Sequence, residues 1–147
     1  MKTFQKIIVA TDLTPASEPA LKEAVEMAKE KGSELVITHV YQPPDVAQAE
    51  AITSGVYDEW DRNLRTAAEK GLKPLVEDAK KEGINARALV LSGPAYEAIA
   101  DAAEKNDADL VVMGTHGRKG VSRFFVGSVA SRVISTAPCP VMTVRAV

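Results

Sequence analysis

Apolar residues along this chain fall into two patterns that take turns. Ile7, Ile8 and Val9 form a continuous run within residues 4–10, which is how a strand buried on both faces reads. Thr14 then stands as an N-cap with Pro15 at the first helical position. Leu21, Ala24, Val25 and Ala28 follow at helical spacing until Gly32 stops the helix. A second, β-branched run occupies residues 35–40 and is ended by Pro43 and Pro44, because proline cannot donate to a sheet ladder. Over residues 58–81, Leu64, Ala68, Leu72, Leu75 and Ala79 share one helical face. Gly71 and Pro74 inside that stretch predict a kink or a split.

Gly83 closes this helix, and residues 86–91 read as a third strand. Ser92, Gly93 and Pro94 then open a helix carrying Ile99, Ala100 and Ala103. A fourth buried strand, DLVVM, covers residues 109–113, and a glycine-rich loop runs to Val126. Residues 127–136 form a helix with Val129, Val133 and Ile134, and Val141–Val144 supplies a fifth strand. Five strands alternating with four helices predict an α/β fold, Rossmann-like. Its single open parallel sheet is joined by right-handed crossovers, with helices on both faces.

A length of 147 residues predicts one domain over residues 1–147 that buries a core without disulfides or metals. Hydrophobic residues at 46% and charged residues at 26% are ordinary for a globular chain, so disorder is not expected. A net charge of −2, with basic and acidic residues intermixed, offers no field for a nucleic-acid backbone. Cys139 is the only cysteine, which excludes an internal disulfide and fits a reducing compartment. The N-terminal apolar run is too short for a signal peptide, and nowhere do about 18 apolar residues run together as a membrane span requires. The expectation is a cytoplasmic protein with neither nucleic acid nor membrane as its partner.

In open parallel sheets ligands lie beyond the carboxyl ends of the strands. Three places therefore matter: Thr11 and Asp12, Val40 and Tyr41, and the loop that begins at Gly114. The last carries the most distinctive spacing, Gly114-Thr115-His116-Gly117, nine residues, then Gly127-Ser128 at a helix start. Glycines there permit close approach of the backbone, and free amides at a helix N-terminus favour anions, phosphate above all. The Ser128 hydroxyl adds a donor to phosphate or a ligand for a divalent cation. Arg118 and Lys119 add positive charge. Spacing alone also admits a plain surface loop with an ordinary cap. Neither G-x-x-x-x-G-K-[ST] nor G-x-G-x-x-G after the first strand is present.

The segments KIIVATDLT, ADLVVMGTHGRKG and GSVASRVISTAPCPVMTV resemble the universal stress proteins over essentially the whole chain, which implies a fold of the adenine nucleotide alpha hydrolase-like kind. In the ATP-binding branch of that family the phosphate motif is G, two residues, G, nine residues, G-[ST]. Gly114, Gly117, Gly127 and Ser128 match it without a gap. The resemblance implies that Asp12 binds ribose hydroxyls and that Val40 meets adenine through its backbone. It also implies that Ala10, Thr11, Met113, Arg118, Val129 and Ala130 line the site. The implied ligand is ATP, with magnesium or manganese as the candidate cation and no metal ligands named. Asp12 makes chemical sense unaided, since a carboxylate at a strand end accepts two hydroxyl hydrogen bonds; it equally serves turns.

No catalytic residue is assigned. His116 lies in the phosphate loop but lacks an orienting partner or a nucleophile beside it, and His39 reads as a satisfied strand residue. Ser128 and Ser131 have no catalytic Asp or Lys set around them. Cys139 reads as a small hydrophobe, and Tyr41, Tyr57 and Trp60 read as packing residues first, with cover for a ligand as the alternative. The apolar closing strand would leave an exposed sheet edge. The resemblance implies that a second copy covers it, giving a homodimer paired through the last strands. The function expected is nucleotide-dependent regulation or stress response with little or no catalysis. A slow ATPase or phosphoryl-transfer enzyme is the alternative, and an empty interaction module a third reading.

Overall fold

The computed structural model describes residues 4–43, 54–115 and 127–146. Its elements are β1 (Lys6–Ala10), a 3-10 turn (Pro15–Ser17), α1 (Glu18–Lys31), β2 (Glu34–Tyr41) and α2 (Ser54–Lys81). These are followed by β3 (Asn85–Ser92), α3 (Ala95–Lys105), β4 (Leu110–Gly114), α4 (Ser128–Thr136) and β5 (Val141–Val144). The strands form one sheet in the order β3-β2-β1-β4-β5, with every neighbouring pair parallel. The fold is thus the α/β Rossmann-like arrangement that the alternating pattern predicts.

Side-chain alternation in the strands divides the core in two, because successive residues of a strand point to opposite faces. Ile7, Val9, Leu35, Ile37, Leu110 and Val112 pack on one face against Ala20, Ala24 and Ala28 of α1 and Leu72, Val76 and Ala79 of α2. Ile8, Val36, Val111 and Met113 pack on the other against Ile99, Ala102 and Ala103 of α3 and Ala130 and Val133 of α4. Most of these side chains are wholly buried, and each large aliphatic one contributes about 1.5–3 kcal/mol. The alanines of α1 recur every fourth residue, which lets that helix lie close against the sheet.

Two local expectations are corrected. Thr14 does not cap α1: it precedes the 3-10 turn, makes no side-chain capping bond, and α1 begins only at Glu18. Its hydroxyl instead donates to Asp12 Oδ1 at 2.5 Å, so the competing local side-chain bond wins over the cap. Of the kink or split expected in α2, the split does not occur, since the helix runs without interruption through Gly71 and Pro74. Pro74 lies on the solvent face beside an exposed Lys70, where water can satisfy the Lys70 carbonyl that proline leaves without a donor. Gly71 has a positive use: a Cβ there would stand 2.8 Å from Leu13 Cδ1. The residue lets the β1–α1 loop approach the helix.

Turn residues behave as their types require. Gly32 ends α1 at φ 68°, Gly83 follows α2 at φ 84°, and Gly93 precedes α3 at φ 112°, backbone conformations that glycine adopts without penalty. Pro94 takes the N-cap position of α3.

Candidate functional site

The strand order places β1 in the centre, with β2 and β4 on either side of it. The chain leaves β1 toward β2 and leaves β4 toward β5, so the carboxyl ends of β1 and β4 diverge and open a crevice. A cavity of about 380 Å³ lies there, within the size range of small-molecule sites. Its walls come from Ala10, Thr11 and Asp12 after β1, Val40 on β2, Met113 and Gly114 on β4, and Gly127, Ser128, Val129 and Ala130 at the start of α4. Sequence reasoning named all ten of these. Gly117 and Arg118, also named, lie outside the described residues, as do His116 and Lys119.

Asp12 is held in its turn by several hydrogen bonds. Its Oδ1 accepts from the Thr14 amide at 2.9 Å, from the Thr14 hydroxyl, and from the Ser17 hydroxyl, while its own amide donates to Ser17 Oγ at 3.0 Å. This is the turn role that aspartate often plays, and it fixes the carboxylate in the cavity wall. Thr11, buried, carries the turn on the sheet: its amide donates to the Thr38 carbonyl at 2.8 Å and its hydroxyl accepts from the Leu13 amide at 3.0 Å. Leu13 sits at φ 64°, an uncommon conformation for a non-glycine residue that these bonds stabilise.

The helix side is built differently. Gly127 is the N-cap of α4, and the first bond of the helix runs from the Ser131 amide to the Gly127 carbonyl at 3.0 Å. The amides of Ser128, Val129 and Ala130 therefore precede the intrahelical ladder and carry the positive end of the helix dipole. Gly127 itself has φ −62° and ψ 160°, angles open to any residue. Its expected part, to open the helix with free amides, is the one its N-cap position allows. Gly114 likewise sits inside β4, level with Val144 of β5.

Five wall residues escaped sequence reasoning: Ser17, Thr38, Ala95, Ile99 and Thr115. Thr38 was accessible in principle, since it shares a strand face with Val40. Ala95 and Ile99 come from α3, whose packing beside α4 no local pattern announces. Tyr41 faces away from the cavity; it is buried, donates to Asp61 Oδ1 at 2.9 Å and lies under the Arg65 guanidinium. Trp60 is exposed on α2, and Cys139 packs against the α3–α4 side of the core. His39 bonds the Thr11 carbonyl through Nδ1 at 2.9 Å. Among the described residues no helix is long and apolar enough to cross a membrane.

Comparison with known proteins agrees with this architecture. Universal stress protein MJ0531 of Methanocaldococcus jannaschii is 34% identical over 143 residues, covering 97% of this chain and 82% of its own. Universal stress protein YxiE of Bacillus subtilis is 34% identical over 149 residues, covering 97% and 99%. Among solved structures, MJ0577 of M. jannaschii superposes with a TM-score of 0.86 at 24% identity, covering 98% of this chain and 97% of its own, which shows the shared fold. The universal stress protein of Archaeoglobus fulgidus in complex with dAMP superposes with a TM-score of 0.64 at 26% identity, covering 97% and 98%. Residues 3–145 match the Universal stress protein family, and with relatives this similar over nearly its whole length the chain belongs to that family.

Proposed function

We propose that the cavity at the ends of β1, β2 and β4 binds ATP, which places the chain in the ATP-binding branch of its family. The observation that carries this reading is the convergence on one cavity of a fixed carboxylate, Asp12, and the open amides at the start of α4. One wall suits a ribose and the other suits an anion, as a nucleoside phosphate demands. The turn holds the Asp12 carboxylate in the wall, where it would accept from the ribose hydroxyls. The base would lie along Val40 and Met113, whose apolar surfaces offer it a dry seat. Gly114, Gly117, Gly127 and Ser128 would surround the phosphates with Arg118 beside them. A magnesium or manganese ion would be held chiefly by phosphate oxygens, with the Ser128 hydroxyl as its protein ligand. The relative from A. fulgidus solved with dAMP supports an adenine nucleotide as the ligand class.

The role proposed is regulatory, a cytoplasmic single-domain protein in which nucleotide occupancy signals to a partner, with little or no hydrolysis. β5 is a sheet edge whose four residues are all half-buried. Pairing with β5 of a second copy would satisfy its outward backbone groups, so a homodimer is part of the proposal. The test is to denature freshly purified protein and identify the released nucleotide by chromatography and mass spectrometry. ATP or another adenine nucleotide at near one per chain is expected. An empty protein that also shows no heat with ATP and Mg²⁺ in calorimetry overturns the reading, and rapid ADP accumulation replaces it with an ATPase.

A further inference from the structure

Asp12 is bonded within its own turn, and Thr11 beside it is tied to β2. Asp12, Thr14 and Ser17 bond one another within the turn, and the Leu13 amide donates to the Thr11 hydroxyl. Thr11 is joined to β2 twice, by its amide to the Thr38 carbonyl at 2.8 Å and by its carbonyl to His39 Nδ1 at 2.9 Å. The first continues the β1–β2 ladder, in which Ala10 lies level with Thr38. The second comes from a side chain, and a carbonyl only accepts, so Nδ1 carries the proton. His39 thus grips the peptide that joins Thr11 to Asp12, on the strand that also supplies Val40 to the cavity.

We infer that His39 is a positioning residue: through the Thr11 carbonyl it sets where the Asp12 carboxylate stands relative to Val40, and so the spacing between ribose and base subsites. This rests on the nucleotide reading given above. The geometry gives the residue type a reason. The Nδ1–H lies close to the backbone of β2, a reach that the side-chain amide of asparagine reproduces, whereas glutamine places its amide farther out. Leucine fills similar space and donates nothing. A histidine kept only to fill the sheet surface would tolerate leucine well.

The test compares His39→Leu, His39→Gln and His39→Asn with the unaltered protein, each checked for folding by circular dichroism. ATP and 2′,3′-dideoxy-ATP are titrated by calorimetry, because loss of general affinity moves both ligands together while displacement of Asp12 moves their ratio. The unaltered protein is expected to favour ATP by about tenfold, equivalent to about 1.4 kcal/mol. His39→Leu and His39→Gln bring the ratio near one, and His39→Asn retains it. A ratio unchanged in folded His39→Leu, or lost equally in His39→Asn, overturns the inference. A ligand-free measurement separates it from the nucleotide reading. Amide hydrogen exchange at Asp12, Leu13 and Thr14 should quicken in His39→Leu and hold its native rate in His39→Asn. Equal exchange in all the proteins overturns the positioning role even if ATP binds, and failure of the unaltered protein to bind ATP overturns the nucleotide reading while the exchange result stands.

Discussion

The amide of Gly127 donates to the carbonyl of Thr115 at 2.5 Å. One hydrogen bond thus joins the last residue before segment 116–126 to the first residue after it. It also fixes the N-cap of α4 against the end of β4, so the anion-favouring amides of the helix and the strand end share one rigid corner of the cavity. The corner is built from backbone, and substitutions there should alter ligand contact more than fold.

The double substitution Gly127→Val with Ser128→Val tests this. The angles at Gly127 suit valine, and Ser128 is exposed and makes no cap, so the melting temperature should move by only a few degrees. Calorimetric affinity for ATP should fall by at least about a hundredfold, some 2.8 kcal/mol, since a Cβ and branched methyls enter the phosphate corner. Full affinity in the variant would remove the proposed phosphate site.

Asp12→Ala should damage both turn and ligand binding. Oδ1 accepts three hydrogen bonds, and leaving their donors without a partner in a half-buried turn costs about 1–3 kcal/mol. Asp12→Asn keeps an oxygen acceptor and should recover more than half of that loss. Urea unfolding curves measure both, and equal stability of the two variants would show that the turn does not depend on this acceptor.

Asp109 offers the opposite control. Its Oδ2 accepts from the amides of Gln5 and Lys6, each at 3.0 Å, at the end of the sheet away from the cavity. Asp109→Ala should destabilise the protein by about 1–2 kcal/mol and leave ATP affinity unchanged. A large loss of affinity in the folded variant would mean that the two ends of the sheet are coupled.

Gly71→Ala sets helix propensity against packing. Alanine is favoured over glycine in a helix by about 1 kcal/mol, yet its Cβ would meet Leu13 Cδ1 at 2.8 Å. Alone, the change should be close to neutral, because the flexible end of Leu13 gives way at some cost. In a Leu13→Ala background it should stabilise by about the full 1 kcal/mol. Thermal unfolding of the four proteins checks this, and strict additivity would show that the contact has no energetic weight.

Much of the candidate site was legible because its residues cluster at strand ends and helix starts, which periodicity locates. Ala10, Thr11 and Asp12 follow an obvious strand, and Gly127 and Ser128 open an obvious helix. Ser17 was missed because its partner in the turn, Asp12, is chosen by loop geometry and not by a repeating pattern. Ala95 and Ile99 were missed because they enter the cavity from a helix that joins it only through packing.

The sequence by itself determined what short-range chemistry decides. The alternating apolar runs specify five strands and four helices, Gly32, Gly83 and Gly93 mark their ends, and the glycine spacing points to the corner proposed for phosphate. Tertiary structure alone decided the strand order, and with it the crevice between β1 and β4. It also decided that Gly71 admits Leu13 and that His39 grips Thr11. Periodicity tells which face of an element is apolar, whereas these outcomes depend on which other face it meets, and that is set by the joint burial of residues far apart in the chain.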